Sequence, residues 1–323
     1  MESRIFALEA TGEFGEKVAQ ALGRELDPHE EREFEDGEYK VRPLVSVRGR
    51  ECFVIQSLHG GPRLSPDDKI CRLLFFARTL HEHGAERITA VIPYLAYARK
   101  DRMTKPRDPV TLKYLAILLE AAGIHRVVGL VAHNIAAFHN AFRIPTVHLD
   151  TRHLFAGHVE NLLGAEPVVV ASPDPGGVKR AQLFRETLAE RLGREVGGAY
   201  LEKRRSAGQV SGHYLAGEVK GATVLVLDDL ISSGGTLVRA ARTCLDHGAA
   251  AIWAYAAHGL FMQGADQAMG DSSLDRIIVT DSIPPFRLSE GVREKIEIVS
   301  VAPLFARAMQ QLHNNDSIVE LTS

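Results

Sequence analysis

Asp228 and Asp229 stand side by side after the apolar run Val224-Leu225-Val226-Leu227, and Leu230-Ile231-Ser232-Ser233-Gly234-Gly235-Thr236 follows them. Adjacent carboxylates accept hydrogen bonds from neighbouring hydroxyls, the pattern that a ribose presents. Ser232, Ser233, Gly234, Gly235 and Thr236 offer hydroxyls, backbone N–H groups that glycine leaves accessible, and a helix start, which together suit a phosphate dianion. A sugar diol beside a phosphate describes a 5-phosphoribosyl group. For this to work, the acids must lie at the carboxyl edge of a strand covered on both faces, as in a parallel sheet, because α/β sheets hold ligands at that edge. The plainer reading is a strand that ends in a Gly-rich turn with two solvated aspartates. The length of the whole string weighs against it.

Four other segments carry chemistry. Phe34-Glu35-Asp36-Gly37-Glu38 sets an aromatic beside acids around a turn glycine, which alone reads as a surface turn. Ile92-Pro93-Tyr94-Leu95-Ala96-Tyr97-Ala98-Arg99-Lys100-Asp101-Arg102 leads from a strand into a basic loop. That loop is either a solvated charge run or a polyphosphate clamp. Ser172-Pro173-Asp174-Pro175-Gly176-Gly177-Val178-Lys179-Arg180 places a carboxylate between a strand and a helix, either as an N-cap or facing a metal or ribose. Lys203-Arg204-Arg205 opens a Gly/Ser-rich stretch that reaches Gly212, a composition suited to a flap over reacting phosphates. The chain has no Gly-x-x-x-x-Gly-Lys-Ser/Thr string, so a bound ATP is not held by a P-loop.

The elements that must position these residues alternate. Strands are expected at Arg4–Ala7, Cys52–Gln56, Ile88–Ile92, Arg126–Val131, Val168–Ala171, Val196–Leu201, Thr223–Leu227, Ala251–Ala256 and Arg276–Val279. Helices are expected at Glu13–Leu22, Pro66–His83, Pro109–Ala122, Gly177–Leu192 and Thr236–His247. The alternation argues for α/β architecture with mainly parallel sheets. The chain also repeats itself. Ala77-Arg78-Thr79 with His83-Gly84-Ala85 is echoed by Ala241-Arg242-Thr243 with His247-Gly248-Ala249, and Val47-Arg48-Gly49 is echoed by Val219-Lys220-Gly221. Matching flanks imply duplicated halves that meet near Pro145–Asp150, with the acid pair and its loop in the second half alone.

A chain of 323 residues, 45% hydrophobic and 24% charged, favours two soluble domains. A net charge of -3 gives no overall electrostatic reason to bind nucleic acid or an anionic membrane. The charged start of the chain lacks a signal-type apolar core, and Ala249–Met262 is too short to span a bilayer. Cys52, Cys71 and Cys244 are widely spaced and read as buried thiols in a reducing cytosol. The histidines between His125 and His158 lack zinc-type spacing.

Arg4-Ile5-Phe6-Ala7, the Phe34–Glu38 turn, Ile92–Arg102, His133-Asn134, the Asp174 segment, Lys203-Arg204-Arg205, the Asp228–Thr236 string and the ending Asn314-Asn315-Asp316-Ser317-Ile318 follow one another in order. In that order they resemble the ribose-phosphate pyrophosphokinases, which make phosphoribosyl diphosphate (PRPP), nearly end to end. The resemblance implies an α/β fold of two tandem phosphoribosyltransferase-like domains, each with a mainly parallel sheet flanked by helices. Residues 1–148 form the ATP side; residues 149–323 hold the ribose 5-phosphate site, the flap and a C-terminal helix. The implied reaction moves the β,γ-diphosphoryl group of MgATP to the C1 hydroxyl of ribose 5-phosphate, giving PRPP and AMP.

The resemblance gives Lys203 and Arg205 the catalytic role. It assigns Phe34, Asp36, Gly37, Glu38, Arg99, Lys100 and Asp101 to ATP, with Phe34 against the adenine. Asp228 and Asp229 hold the ribose, and Ser232, Ser233, Gly234, Gly235 and Thr236 its phosphate. His133 and Asp174 serve a divalent metal, Mg2+ or alternatively Mn2+; magnesium prefers oxygen, so His133 would reach it directly or through water. In this family the Phe34 turn can reach a neighbouring subunit's site, which implies a homo-oligomer built on dimers, with a hexamer among the expected sizes. No nucleic-acid or membrane partner is expected, and the cytoplasm is the expected location. Lys100 stands where the family usually has glutamine, Ser232 where an acid is common, and Val131 where aspartate often precedes the histidine. The loop Met103–Pro109 also differs from the usual bacterial one. Two alternatives stay open: a PRPP-consuming phosphoribosyltransferase, which needs only one half of such a chain, and a non-catalytic regulatory subunit.

Overall fold

The computed structural model describes residues 3–206 and 209–322, with the side chains of 202–213 outside the description. The chain divides into two compact units, residues 1–150 with 301–323, and residues 151–300.

In the first unit, β1 (Arg4–Ala7), β4 (Glu51–Ile55), β5 (Arg87–Ile92), β6 (Arg126–Leu130) and β7 (Thr146–Leu149) lie in that order, each parallel to its neighbour. Helices α1 (Gly12–Ala21), α2 (Pro66–Glu82), α3 (Thr111–Ala121) and α4 (Ile135–Ala141) make the crossovers. Ser65 starts α2 with a capping box, its side chain accepting from Asp68 N–H while Asp68 accepts from Ser65 N–H. A hairpin of β2 (His29–Glu33) and β3 (Tyr39–Pro43) forms its own two-stranded sheet. It is tied to α2 by Arg72, which pairs with Glu33 and lies 4.3 Å over the Tyr39 ring. At the hairpin's root the buried Glu31 carboxylate accepts from Tyr39 Oη (2.6 Å) and bonds His29 (2.9 Å).

In the second unit the sheet order is β10 (Gln209–Ala216), β9 (Gly197–Ser206), β8 (Val168–Ser172), β11 (Thr223–Ile231), β12 (Ala251–Gly259), β13 (Arg276–Thr280) and β14 (Ile296–Val299). Among the described residues of this sheet only the β9–β10 pair is antiparallel. Helices α5 (Arg152–Leu162), α6 (Val178–Leu192), α7 (Gly235–Asp246), α8 (Ala265–Met269) and α9 (Glu290–Arg293) connect the strands. β11 shows why the apolar run reads as a doubly covered strand: Val224 and Val226 join one core cluster, while Leu225 and Leu227 join another with Phe184 and Leu188 of α6. Winding reverses at β8, which has β9 on one side and β11 on the other, so β8 and β11 flank a topological switch point.

The last helices, α10 (Ala302–Asn314) and α11 (Val319–Thr322), belong to the first unit, where α10 packs on α1 with the Phe14 and Phe305 rings edge to face at 5.7 Å. This corrects the expectation that residues 149–323 form one domain including the C-terminal helix: the apolar face of α10 is buried against α1. The repeat is structural as well. Gly49 N–H donates to Gly84 O at 2.7 Å, and Gly221 N–H to Gly248 O at 2.8 Å. All four glycines have positive φ, the left-handed turn that glycine adopts without cost. Two other expectations change. β9 runs through Lys203 and Arg205 to Ser206 rather than ending at Leu201, and Cys71 is exposed, whereas Cys52 and Cys244 are buried.

Candidate functional site

Pairing with β8 ends at Val226, opposite Ala171, but pairing with β12 continues to Ile231, opposite Gly259. Asp228 and Asp229 therefore lie within β11 where it has outrun β8, at the crevice of the switch point. Strand alternation keeps Asp229 on the α6 side, and there Arg180 reaches it at 3.3 Å and Asp228 at 3.8 Å. The Asp229 side chain is 7% exposed and that of Asp228 is 20% exposed. Burial, and then the neighbouring Asp229 carboxylate, push the Asp228 carboxyl up to about 8, with Arg180 opposing. Two adjacent carboxyl groups beside Arg180 present several acceptor oxygens, which hydroxyl donors can engage.

The raised value has a testable sign. A raised value means that the folded acid pair holds a proton which the unfolded chain, with Asp228 at its ordinary 3.8, releases. The site's contribution to stability is therefore greatest below the ordinary value and is lost as pH rises towards the folded one. We expect the melting temperature of ligand-free protein to fall between pH 5 and 8, and Asp228→Asn to flatten that fall and raise the value at pH 8 by about 2–4 °C. Parallel pH curves for both proteins would contradict the assignment.

Ser232, Ser233 and Gly234 follow β11, and α7 begins at Gly235 with Thr236 in its first turn. Gly234 has φ 77°, and a Cβ there would meet Met269 Cε at 2.5 Å, so the loop's shape requires glycine. The loop after β8 is also set by its own residues. Ser172 Oγ donates to Asp174 O at 2.6 Å, and Asp174 Oδ1 accepts from Gly177 N–H at 3.1 Å.

In the first unit the loops after β5 and β6 are joined. Asn134 Nδ2 donates to Asp101 Oδ2 at 2.7 Å, while Asn134 Oδ1 caps α4 through Ala137 N–H. The Asp101 side chain is 4% exposed and also bonds Arg102, so it holds the loops together, whereas Arg99 and Lys100 are exposed beside it. His133 is exposed in the β6 loop, whose course is held by Ala132 N–H donating to His148 Nε2 at 3.0 Å. Val131, at φ 38°, is strained for a β-branched residue. Phe34, Asp36, Gly37 and Glu38 lie elsewhere in this unit, at the exposed tip of the β2–β3 hairpin. There Gly37 N–H donates to Phe34 O (2.9 Å), and Arg32 lies 4.8 Å over the Phe34 ring. The side chains of Lys203 and Arg205 lie outside the described residues.

Among the described residues no cluster of three or more His, Cys, Asp or Glu side chains forms a metal nest. Asp174 still suits a hard divalent ion, since Oδ1 is engaged with Gly177 and Oδ2 remains a second carboxylate oxygen. Arg180 is a site residue that residue types alone do not single out. Its place one turn beyond the Asp174 loop, on the helix following β8, was the available signal.

Two family models match the chain: the N-terminal domain of ribose phosphate pyrophosphokinase over residues 3–123, and the phosphoribosyl synthetase-associated domain over residues 210–322. A ribose-phosphate pyrophosphokinase of Caldanaerobacter subterraneus is 38% identical over 321 residues, covering 98% of this chain and 97% of the relative. One from Fusobacterium nucleatum is 36% identical over 323 residues, with 98% and 97% covered. Among solved structures, phosphoribosylpyrophosphate synthetase from Mycobacterium smegmatis superposes with a TM-score of 0.87 at 31% identity, covering 98% of this chain and all of that one. No helix among the described residues is long and apolar enough to cross a membrane.

Proposed function

The chain belongs to the ribose-phosphate pyrophosphokinase family, and from that premise we propose how its residues divide the reaction between its two units. It is an enzyme that transfers the β,γ-diphosphoryl group of ATP to the C1 hydroxyl of ribose 5-phosphate, giving PRPP and AMP. Asp228 and Asp229 accept from the ribose hydroxyls, and the N–H groups and hydroxyls of Ser232–Thr236 take the 5-phosphate. Arg180 holds the acid pair in place. Arg99 and Lys100 bind ATP phosphates, Asp101 fixes their loop through Asn134, and Phe34 packs on adenine with Asp36, Gly37 and Glu38 around it. Lys203, aided by Arg205, neutralises charge that develops as the diphosphoryl group moves.

Magnesium, or manganese in its place, is the divalent ion we assign, with Asp174 as the candidate ligand in the second unit and His133, directly or through water, the candidate in the first. When bound, it supplies positive charge to the phosphoryl oxygens. We place the protein in the cytoplasm as a homo-oligomer built on dimers. Supporting self-association, α3 turns Tyr114, Ile117 and Leu118 outward, each about half exposed. Ile117→Lys should shift the sedimentation of purified protein towards smaller species; an unchanged profile would count against that face.

The observation that carries the reading is the full-length match: both units align with synthetases over 98% of the chain, whereas a PRPP-consuming transferase needs one half. Product analysis tests it. AMP and PRPP should form from ATP only when ribose 5-phosphate is added. Diphosphate release that depends on a free base would favour the transferase, and nucleotide binding without PRPP would favour a regulatory subunit.

A further inference from the structure

A phosphate loop has to offer N–H groups to its anion and turn its carbonyls, which repel the anion, towards other donors. In this chain those donors come from the strap that follows β12. Leu260 and Phe261 N–H donate to Ile231 O at 3.0 and 3.1 Å, and Met262 N–H donates to Ser232 O at 2.9 Å. The strap is itself held in tension. Phe261 sits at φ 47°, an uncommon conformation for a bulky residue, with its ring only 1% exposed. That ring lies against Gly259, where an added Cβ would stand 2.4 Å from Phe261 Cε2. Beyond the strap, Met269 and Ala268 of α8 leave no room for a Cβ on Gly234.

Outer contacts fix the strap in turn. Arg287 donates to Leu260 O at 2.8 Å, and Ser289 bonds Asp266 through N–H (2.7 Å) and Oγ (3.0 Å). The loop is therefore set from outside by residues that lie beyond the Asp228–Thr236 string.

We propose that the strap Leu260–Met262, wedged in place by Phe261 against Gly259, presets the Ser232–Thr236 loop for the 5-phosphate, making Phe261 a positioning residue for ribose 5-phosphate binding. The proposal rests on the phosphate reading of that loop and adds the part that fixes its shape. Because the strap's N–H groups donate to the Ile231 and Ser232 carbonyls at the start of this loop, its disturbance affects the sugar phosphate and spares the nucleotide. A purely structural role would instead lower the active fraction and leave both Michaelis constants alone.

Three variants test this in the intact enzyme. Gly259→Ala displaces the ring by one methyl, Phe261→Leu keeps bulk without the ring, and Thr236→Val removes a phosphate hydroxyl. The first two are expected to raise KM for ribose 5-phosphate about tenfold, with KM for ATP within about twofold and kcat within about threefold. In both, the rise in melting temperature produced by ribose 5-phosphate should shrink, while that produced by ATP persists. This second readout serves if either variant folds poorly, since it compares the two ligands on the fraction that does fold. Combining Gly259→Ala with Thr236→Val should cost less than the product of the single effects, because both act on one loop. If Thr236→Val raises KM for the sugar but the strap variants do not, or if they raise both Michaelis constants alike, the strap proposal is overturned. If Thr236→Val itself is neutral, the phosphate reading falls and takes the proposal with it.

Discussion

Lys203→Ala is expected to lower turnover by about a hundredfold or more while the melting temperature stays within about a degree of the parent. The reaction brings polyanions together and increases charge on the departing AMP and on the group in flight, so a positioned ammonium works mainly in the transition state. Such a loss appears in kcat and kcat/KM together, with KM for either substrate little changed. Lys203→Arg keeps the charge but replaces a compact ammonium with a planar fork, and should recover only part of the rate. Near-normal turnover in the alanine variant would remove Lys203 from the catalytic role and leave Arg205 to be tested in the same way.

Asp228→Asn should act on the other substrate term. Ribose hydroxyls favour the ionised form of Asp228, and a charge-assisted hydrogen bond contributes about 1.5–3 kcal/mol, so at pH 8 or above replacing the carboxylate with an amide should raise KM for ribose 5-phosphate about 10- to 100-fold. KM for ATP should hold, since its assigned residues lie in the first unit. The same substitution is expected to stabilise ligand-free protein at pH 8, because it removes a buried carboxyl pushed up to about 8. Greater stability with weaker sugar binding is the sign of a site strained for function. An unchanged KM for the sugar would contradict the ribose assignment even if the stability effect appeared.

The second sheet was legible because its strands announce themselves. Val224 to Leu227 and Val168 to Ala171 are unbroken apolar runs, and each lies in a parallel sheet covered on both faces. The internal repeat was legible because its glycines do a conformational job that side chains resist, as the paired Gly49–Gly84 and Gly221–Gly248 bonds show. β2 was not legible: His29-Glu30-Glu31-Arg32-Glu33 has no apolar alternation, and its pairing rests on ion pairs with β3 and contacts with α2. Nor were β7 and β14, four residues each in which polar and apolar residues mix without the apolar run of β1, or α4, whose seven residues are too few to establish a period. The membership of α10 in the first unit is a tertiary choice that no local pattern encodes.

Within the site, the acid pair and its loop were read directly from residue types. Arg180 and the Leu260–Met262 strap were not: Arg180 meets the acids only once sheet order sets β8 beside β11, and the strap acts through backbone N–H groups, which leave no residue signature. Val131 marks a limit of another kind. The sequence showed a departure at that position, and the structure shows its conformational consequence, a β-branched residue at φ 38° two residues before His133.

The most direct measurement is a crystal structure of the protein with ribose 5-phosphate bound. The account predicts phosphate density on the N–H groups of Ser232–Thr236 and ribose hydroxyls within hydrogen-bond reach of Asp228 and Asp229. Full-occupancy density for the sugar phosphate elsewhere, with that loop empty, would contradict it.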